Sequence, residues 1–423
     1  MTQQFINNTY YIFFIISLVF GLLLYGTIGF DGIDELCAFI LILFFCYVIT
    51  NQRDWPINKV FLITIGVFLF YLGYSFYIGS NVKKAIVSDF IIQLKPYVAF
   101  FIVYQLRPLF SKNQKAKLRI ICVASFLILL LLGILSLFKE RIIFDTMYHV
   151  AYYYACALAI SLLYFFCSDN TPKDKFIFIL MLSVGLFSTR SKFYGIYVLA
   201  IVLVLFAPYI KYMKFNLKTI LFTLAILAII IIVGWEKIDL YFALSGDAEE
   251  VETGLLARLM LYMTSIDVFK DYFPLGSGLG SFASYSSGVH YSKIYAKYGI
   301  EKVYGMNSAD YSYIADTYYP CLAQFGIVGV VLFMTFFIYL IRKSHKIIKH
   351  SNNTKYLVIT AIIILYILIE SIADATFTGH RGFFIMMLLG LVFSEQKHEL
   401  EILCTNETGD INHYRNNESS SST

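Results

Sequence analysis

Charged residues are scarce in this 423-residue sequence. Lys, Arg, Asp and Glu together make up 14% of it, hydrophobic residues make up 59%, aromatic residues 18%, and the mean hydropathy is +0.71. A soluble globular chain carries about 25% charged residues. This shortage excludes an ordinary soluble domain. Because apolar runs near the length that crosses about 30 Å of hydrocarbon recur along the chain, it predicts a membrane protein.

The sequence also lacks the cysteine patterns of a metal or disulfide scaffold. Its seven cysteines lie in or near the apolar runs and the C-terminal tail, and no pair has C-x-x-C spacing. The net charge of +5 is spread along the ends of the apolar runs, which argues against nucleic acid as a partner. The acidic run Asp247, Glu249, Glu250 and Glu252 lacks metal-ligand spacing. We therefore expect no cofactor and no metal.

Uncharged runs of roughly 17–22 residues predict about twelve transmembrane helices. The runs lack the short alternation of an outer-membrane barrel, so their backbone groups must be satisfied within helices. The expected fold class is therefore all-α. The predicted spans lie at 10–28, 33–50, 59–79, 86–106, 118–138, 147–168, 174–189, 193–209, 217–236, 319–341, 355–374 and 379–394.

These spans divide the chain into four segments. Residues 1–236 hold transmembrane helices 1–9, residues 237–318 form one long polar loop rich in Gly and Tyr, and residues 319–394 hold helices 10–12. Residues 395–423 are expected to be a disordered tail, since their composition cannot bury enough apolar surface. The first span lacks a basic n-region and a cleavage site, so we interpret it as an uncleaved helix.

Basic residues in the short loops predict the orientation. Placing both termini in the cytoplasm puts most of these residues on the cytoplasmic side, as the positive-inside rule requires. The long loop then faces outward. Outward cations oppose the rule, and the short outward loops hold only Lys83, Lys84, Lys139, Arg141, Arg190, Lys192 and Arg381.

A very short outward turn carries Arg190 and Lys192. Either these cations reach lipid phosphates, or they hold an anionic lipid-linked substrate, above all a pyrophosphate, to which a planar guanidinium donates paired hydrogen bonds. We favour the second interpretation. Arg258, an isolated cation in a helix-like stretch of the long loop, and Arg381, in the last outward turn, are candidates to join Arg190 around one anion; Arg381 could instead simply pair with Asp374.

Three residues of the long loop are candidate general bases. Deprotonating an attacking hydroxyl needs a carboxylate or a histidine within hydrogen-bond reach, and Asp310 and Asp316 offer carboxylates. A solvated loop position explains either residue equally well. His290 is the only histidine of the loop, and a solvated or structural role is its simpler interpretation.

Three further features have alternative explanations. Gly276, Gly278 and Gly280 resemble a phosphate-cradling turn, but a flexible re-entry turn against the helix ends is the preferred interpretation. The many tyrosines of the loop suit sugar faces or a membrane-interface belt equally well. Lys95, beside Pro96, lies in the middle of the fourth span, where a cation is a functional hypothesis by default.

From about residue 170 to 394 the chain resembles the O-antigen polymerase (Wzy) and O-antigen ligase (WaaL) superfamily. The resemblance rests on Ser-x-Arg-Ser at 188–191, on Arg258, on Pro-Leu-Gly-x-Gly-Leu-Gly-x-Phe at 274–282, and on a Tyr-rich segment that leads into Gly-Ile-Val-Gly at 326–329. It implies a GT-C-like glycosyltransferase of the bacterial inner membrane, which acts at the periplasmic face on undecaprenyl-pyrophosphate-linked glycans without nucleotide sugar or metal.

The resemblance also implies roles for residues. Arg190 and Arg258 would bind the donor pyrophosphate and stabilise it as a leaving group, and Arg381 is a looser match. The ligase branch usually has His-Asn where this chain has Ala315 and Asp316. That departure favours a polymerase and makes Asp316 the candidate that orients or deprotonates the acceptor hydroxyl.

We therefore expect a repeat-unit polymerase of O-antigen or capsule. Its partners would be the lipid-linked oligosaccharide, the bilayer, and a chain-length regulator and a flippase of the same pathway. Two alternatives remain open. A ligase would transfer the glycan to lipid A core, and a transporter would move the lipid-linked unit across the membrane. Lys95 favours a transporter, whereas the absence of internal repeats argues against one.

Overall fold

The parts of the chain that the computed structural model describes consist of helices joined by turns and irregular segments, and no β-strand occurs in them. The expected all-α class is thus confirmed. The predicted span 217–236, the first part of the long loop at 237–252 and its acidic run lie outside the described residues. The described ranges are 3–25, 32–51, 58–139, 141–147, 149–210, 253–348 and 353–420.

The α-helices of these ranges are numbered in chain order, and short 3-10 segments at Val184–Ser188, Ile300–Lys302 and Pro320–Phe325 adjoin them. The helices are α1 (Gln3–Leu18), α2 (Ile33–Asn51), α3 (Lys59–Ile78), α4 (Lys83–Leu106), α5 (Lys112–Ser136), α6 (Ile142–Met147), α7 (Val150–Phe166), α8 (Pro172–Ser183), α9 (Ser191–Ile210), α10 (Thr253–Asp271), α11 (Tyr285–Val289), α12 (Lys293–Lys297), α13 (Gly326–Ile348), α14 (Lys355–Glu370) and α15 (His380–Ser420).

Seven helical segments of the described chain are long and apolar enough to cross a membrane, which agrees with a multi-pass membrane protein. Four other predicted spans fall on α7, α8, α14 and α15, which are too short or too polar to meet that requirement. The seven segments are Gln3–Leu23, Ile33–Asn51, Lys59–Ile78, Lys83–Leu106, Lys112–Ser136, Ser191–Tyr209 and Pro320–Ile347.

A central group of helices is buried by the others. Most side chains of α7 and α14 and of the second half of α4 are buried, and α4 packs along α15. Gly390 of α15 permits this contact, because a Cβ there would lie 2.7 Å from the carbonyl oxygen of Phe100. By contrast, α3, α5 and α9 present exposed apolar side chains such as Ile63, Ile128 and Leu205. These helices have the surface expected of helices that contact lipid.

The last helix continues beyond the predicted end of its span. A disordered tail was expected from Glu395, but α15 runs without a break to Ser420. Its first polar turns are held by neighbours: Lys115 pairs with Glu395, Gln396 donates to Ser344 O at 3.1 Å, and Tyr356 donates to Glu399 at 2.7 Å. The sequence-based expectation missed these contacts because composition does not indicate partners on other helices.

The described part of the long loop is a folded unit rather than an irregular connection. Side chains of α10, of α12 and of the segments beside them form a small apolar core that includes Leu261, Phe282 and Tyr295. This unit, residues 253–325, lies at one end of the bundle, where Asn81, just before α4, donates to the Gly280 carbonyl at 2.6 Å. We call this end of the bundle the loop end.

The glycine-rich turn is structural. Gly276, Gly278 and Gly280 all have positive φ angles, between 68° and 85°, a region that favours glycine. The Gly280 N–H donates to Asp89 at 2.8 Å, and the Gly278 N–H donates to the carbonyl of Gln324 at 2.9 Å. Because these N–H groups are already bonded within the protein, they do not point at a ligand.

Candidate active site at the loop end

A cavity of about 190 Å³ lies at the loop end, where the two ends of the folded loop unit meet the transmembrane helices. The turn before α9 contributes Arg190, the first turn of α9 contributes Lys192, α10 contributes Arg258, and the segment after α12 contributes Asp316. Four residues from three separate parts of the sequence therefore line one space. The other residues that line it are His149, Ala151, Tyr154, Ser191, Ala373 and Asp374.

Arg190 stands in a tight turn between α8 and α9. The chain leaves the 3-10 segment at Ser188, takes a left-handed conformation at Thr189 (φ 54°), and enters α9 at Ser191. This geometry holds the exposed Arg190 side chain at the cavity. Among the described residues, no carboxylate forms an ion pair with it, so Arg190 offers its full guanidinium to a ligand.

Arg258 and Asp316 form an ion pair inside the cavity. The Arg258 Nε and Nη2 atoms lie 2.7 and 2.6 Å from the same carboxylate oxygen, Oδ2 of Asp316. Burial raises the pKa of Asp316 to about 6, because the loss of water outweighs the attraction of Arg258. Asp316 therefore titrates near neutral pH, which suits a residue that accepts a proton.

The positive charge of Lys192 is neutralised by an ion pair with Glu370, the last residue of α14. The Lys192 Nζ lies 3.1 Å from Glu370 Oε2, and the Tyr154 hydroxyl donates to the same oxygen at 2.9 Å. Glu370 is fully buried, whereas the Lys192 side chain is 20% exposed. A buried carboxylate needs such partners. Lys192 thus contributes less free charge to the cavity than Arg190 does.

Arg381 does not line the cavity itself but holds a residue that does. Its Nη2 donates to both oxygens of Asp374, at 2.8 and 2.7 Å, and its guanidinium lies over the Tyr152 ring. Burial alone would raise the pKa of Asp374, but Arg381 and then Lys192 lower it below its ordinary value. The sequence-based alternative, a pair between Arg381 and Asp374, is therefore present.

His149, which the sequence did not single out, caps α7 and lines the cavity. Its Nδ1 accepts the Ala151 N–H at 3.1 Å. Burial and then the charge of Arg381 lower the pKa of His149, so the ring is neutral at pH 7. With Nδ1 accepting, the proton of the neutral ring is on Nε2, which is then a hydrogen-bond donor.

The other sequence-based candidates lie away from the cavity. Asp310 closes a turn in which its carboxylate accepts the Ser312 N–H at 3.2 Å, and His290 ends α11. Lys95 is buried and pairs with Asp34 and Glu35 of α2. Neither Asp310 nor His290 lines the cavity that Arg190 and Arg258 share.

The tyrosines of the described loop differ in burial. Tyr295 is buried, and its hydroxyl bonds Ser287 and the Ala283 N–H, so it belongs to the loop core. Tyr285, Tyr304 and Tyr311 are exposed and do not belong to that core. The exposed set is placed to meet a sugar or the membrane interface.

Glu370 and His149 were missed, and the sequence contained a signal for one of them. Glu370 is an ionisable residue within the predicted span 355–374, and such residues mark functional sites in membrane proteins. His149 lies at the start of a predicted span, where nothing in the sequence shows that its ring turns toward Arg190 and Arg258.

Comparison with known proteins finds a family match for part of the chain. A family model described as O-Antigen ligase (Wzy_C) matches residues 176–334, a segment that contains Arg190, Lys192, Arg258 and Asp316. No curated protein and no solved structure matches the chain. The family match confirms the resemblance to the O-antigen polymerase and ligase superfamily over this segment, and it does not distinguish the polymerase branch from the ligase branch.

Proposed function

We propose that the chain is a surface-polysaccharide polymerase. It transfers a growing glycan from undecaprenyl pyrophosphate to a lipid-linked repeat unit at the periplasmic face of the inner membrane. The observation that carries the proposal is the guanidinium of Arg190, which no described carboxylate pairs with, in the same cavity as the Arg258–Asp316 pair. An anion site beside a carboxylate of raised pKa fits the transfer of a glycan from a pyrophosphate.

The donor pyrophosphate binds to Arg190 and Arg258. A guanidinium donates paired hydrogen bonds to phosphoryl oxygens, and its attraction grows as negative charge develops on the leaving group. Lys192 adds positive charge at the edge of the site, and the Nε2–H of His149 donates a further hydrogen bond. None of these residues requires a metal in its role.

Asp316 accepts the proton of the acceptor. The acceptor hydroxyl oxygen forms a bond to the anomeric carbon of the donor sugar, the bond from that carbon to the pyrophosphate oxygen breaks, and its electron pair leaves with undecaprenyl pyrophosphate. The hydroxyl proton passes to Asp316. For this step Asp316 must release Arg258, which turns to the pyrophosphate.

A ligase is the second candidate, because the matching family model is described by that activity. Gene deletion separates the two activities. A strain that lacks a polymerase makes lipid A core bearing one repeat unit, whereas a strain that lacks a ligase makes bare core and accumulates lipid-linked glycan. The presence of Asp316 where the ligase branch usually has Asn favours the polymerase.

A transporter has less support. Lys95 was the feature that favoured it, but Lys95 is already paired with Asp34 and Glu35. Reconstitution of the purified protein with a synthetic lipid-linked repeat unit distinguishes the activities. A polymerase lengthens the glycan, whereas a flippase moves the substrate across the bilayer without lengthening it.

Substitution of the anion site tests the proposal directly. We expect Arg190→Gln to abolish long-chain product while the protein stays inserted, with a loss of at least about 100-fold, as for removal of one transition-state donor. Lys173→Gln, an exposed lysine at the other end of α8, is the matched control and should retain activity. Normal long-chain product from the Arg190→Gln variant would refute the proposal.

A further inference from the structure

A second groove at the loop end has the chemistry of a lipid site. It has a volume of about 670 Å³ and lies between the start of α2, the first turns of α4 and the folded loop unit. The loop unit contributes Tyr285, and the contact is fixed by a hydrogen bond of 3.0 Å from Ser286 to Ser88. We call this space the α2–α4 groove.

The rim of the α2–α4 groove is positively charged. Lys83 and Lys84 are both exposed, and no ion pair joins either of them to a carboxylate in the described part of the chain. The first turn of α4 contains no acidic residue. Glu35, the one carboxylate that lines the groove, is already paired with Lys95. The groove therefore attracts an anion.

An apolar strip runs down α4 from these cations. Val87 and Ile91, which are 43% and 46% exposed, lie three and seven positions after Lys84, on one face of the helix. Seven residues of helix span roughly 10 Å. A cationic rim above an exposed apolar strip matches a molecule with an anionic head and a hydrocarbon tail.

Buried ion pairs connect the groove to the cavity. Lys95 contacts both Glu35, which lines the groove, and Asp34, which lies 2.6 Å from His380 Nδ1. The next residue of α15, Arg381, holds Asp374 at the cavity. The two sites thus lie on neighbouring helices at the same end of the bundle.

We propose that the α2–α4 groove binds the second lipid-linked substrate, the acceptor, by its pyrophosphate and the first part of its polyprenyl tail. This inference rests on the proposed function, since a polymerase must hold two lipid-linked molecules at once. Lys83 and Lys84 contact the acceptor pyrophosphate, and Arg190 and Arg258 contact that of the donor. The acceptor glycan then extends from the groove to Asp316.

The first test counts bound lipid. Native mass spectrometry of the full chain with undecaprenyl pyrophosphate should show two molecules bound to the wild type. The Lys83→Gln/Lys84→Gln variant should bind one of them about tenfold more weakly, as expected when charged hydrogen bonds are removed. The matched control is Lys112→Gln/Lys117→Gln, two exposed lysines at the opposite end of the bundle, and it should bind two molecules.

The second test measures the acceptor alone. A lipid-linked repeat unit with a methylene group in place of its anomeric oxygen can accept a glycan but cannot donate one. For this acceptor, the Lys83→Gln/Lys84→Gln variant should show a KM raised about tenfold and a kcat within about twofold of wild type. An unchanged KM, or a second bound molecule that phosphatidylglycerol displaces as well as undecaprenyl pyrophosphate does, would overturn the inference.

The two proposals fail in different ways. If Arg190→Gln makes normal long-chain product, the proposed function is wrong, whatever the groove binds. If Arg190→Gln is inactive while the Lys83→Gln/Lys84→Gln variant keeps two bound lipids and a normal acceptor KM, only the acceptor site is wrong.

Discussion

Asp316 owes its pKa of about 6 to removal from water, which outweighs the attraction of Arg258. A general base acts in its deprotonated form, so the protonated fraction that appears as pH falls through 6 is inactive. We expect kcat/KM to be level above about pH 7 and to fall about tenfold per pH unit below 6. Rates measured from pH 5 to 8 in proteoliposomes test this prediction.

The matched comparison for this pH profile is Asp310. Asp310 lies in a turn of the loop away from the cavity, so Asp310→Asn should keep both the rate and the profile, whereas Asp316→Asn should lose activity at every pH. A rate that stays constant from pH 8 to 5 would show that Asp316 is not the base.

The Lys192–Glu370 pair leads to a prediction about stability. Glu370 is fully buried and bonds both Lys192 and Tyr154, so Glu370→Gln leaves a cation without its partner. Breaking a buried pair in this way should lower the free energy of unfolding by roughly 3 kcal/mol. Adding Lys192→Met should restore part of it, because no unpaired charge then remains. Melting temperatures in detergent measure both variants, and equal values for wild type and Glu370→Gln would contradict the prediction.

At the scale of elements, the contact between α4 and α15 sets the position of the site. It brings the start of α15, with His380 and Arg381, beside α2 and the cavity. A Cβ at Gly390 would meet the Phe100 carbonyl at 2.7 Å and Val103 Cβ at 2.9 Å, and helix backbone cannot move aside without separating the two helices. The close packing therefore depends on this one glycine.

Gly390→Ala should destabilise the protein by about 1–3 kcal/mol, the usual effect of overpacking a core. Gly66 of α3 is the matched control, since a Cβ there has no atom within 4 Å. Gly66→Ala should melt at or slightly above the wild-type temperature, because alanine is the better helix former. The prediction is wrong if the two variants melt at the same temperature.

Sequence alone predicted the helices well but the long loop between them poorly. Eleven of the twelve predicted spans fall on described helices, because apolar runs are a direct consequence of the bilayer. The expected loop at 237–318 is instead a folded unit in its described part, with a core formed by residues as distant as Leu261 and Met306. Such long-range contacts have no local pattern, so hydropathy could not predict them.

The sequence predicted the cations of the candidate site but not the carboxylates that pair with them. Arg190, Lys192 and Arg258 were singled out as charges without an explanation from topology, and the structure gathers them in one cavity. Carboxylates from other parts of the fold determine which of these cations forms an ion pair. The ends of α14 and of the loop unit supply Glu370 and Asp316, and sequence spacing does not indicate that they meet Lys192 and Arg258.

The proposed function also requires a particular orientation of the whole molecule in the membrane. Both proposed lipid sites lie at the loop end, and they meet periplasmic substrates only if that end faces outward. The excess of basic residues in the other short loops favours this orientation. A cysteine introduced at Lys293, an exposed residue of α12, should then be labelled by a membrane-impermeant maleimide in intact spheroplasts.

The matched cysteine at Lys173, exposed at the opposite end, should be labelled only after the membrane is permeabilised. Both substitutions are made in a variant without the native cysteines, because Cys46 is exposed. If the labelling is reversed, the loop end faces the cytoplasm. The cavity and the α2–α4 groove would then both lie on the side where the lipid-linked repeat unit is assembled rather than polymerised, and the two proposals would fail together.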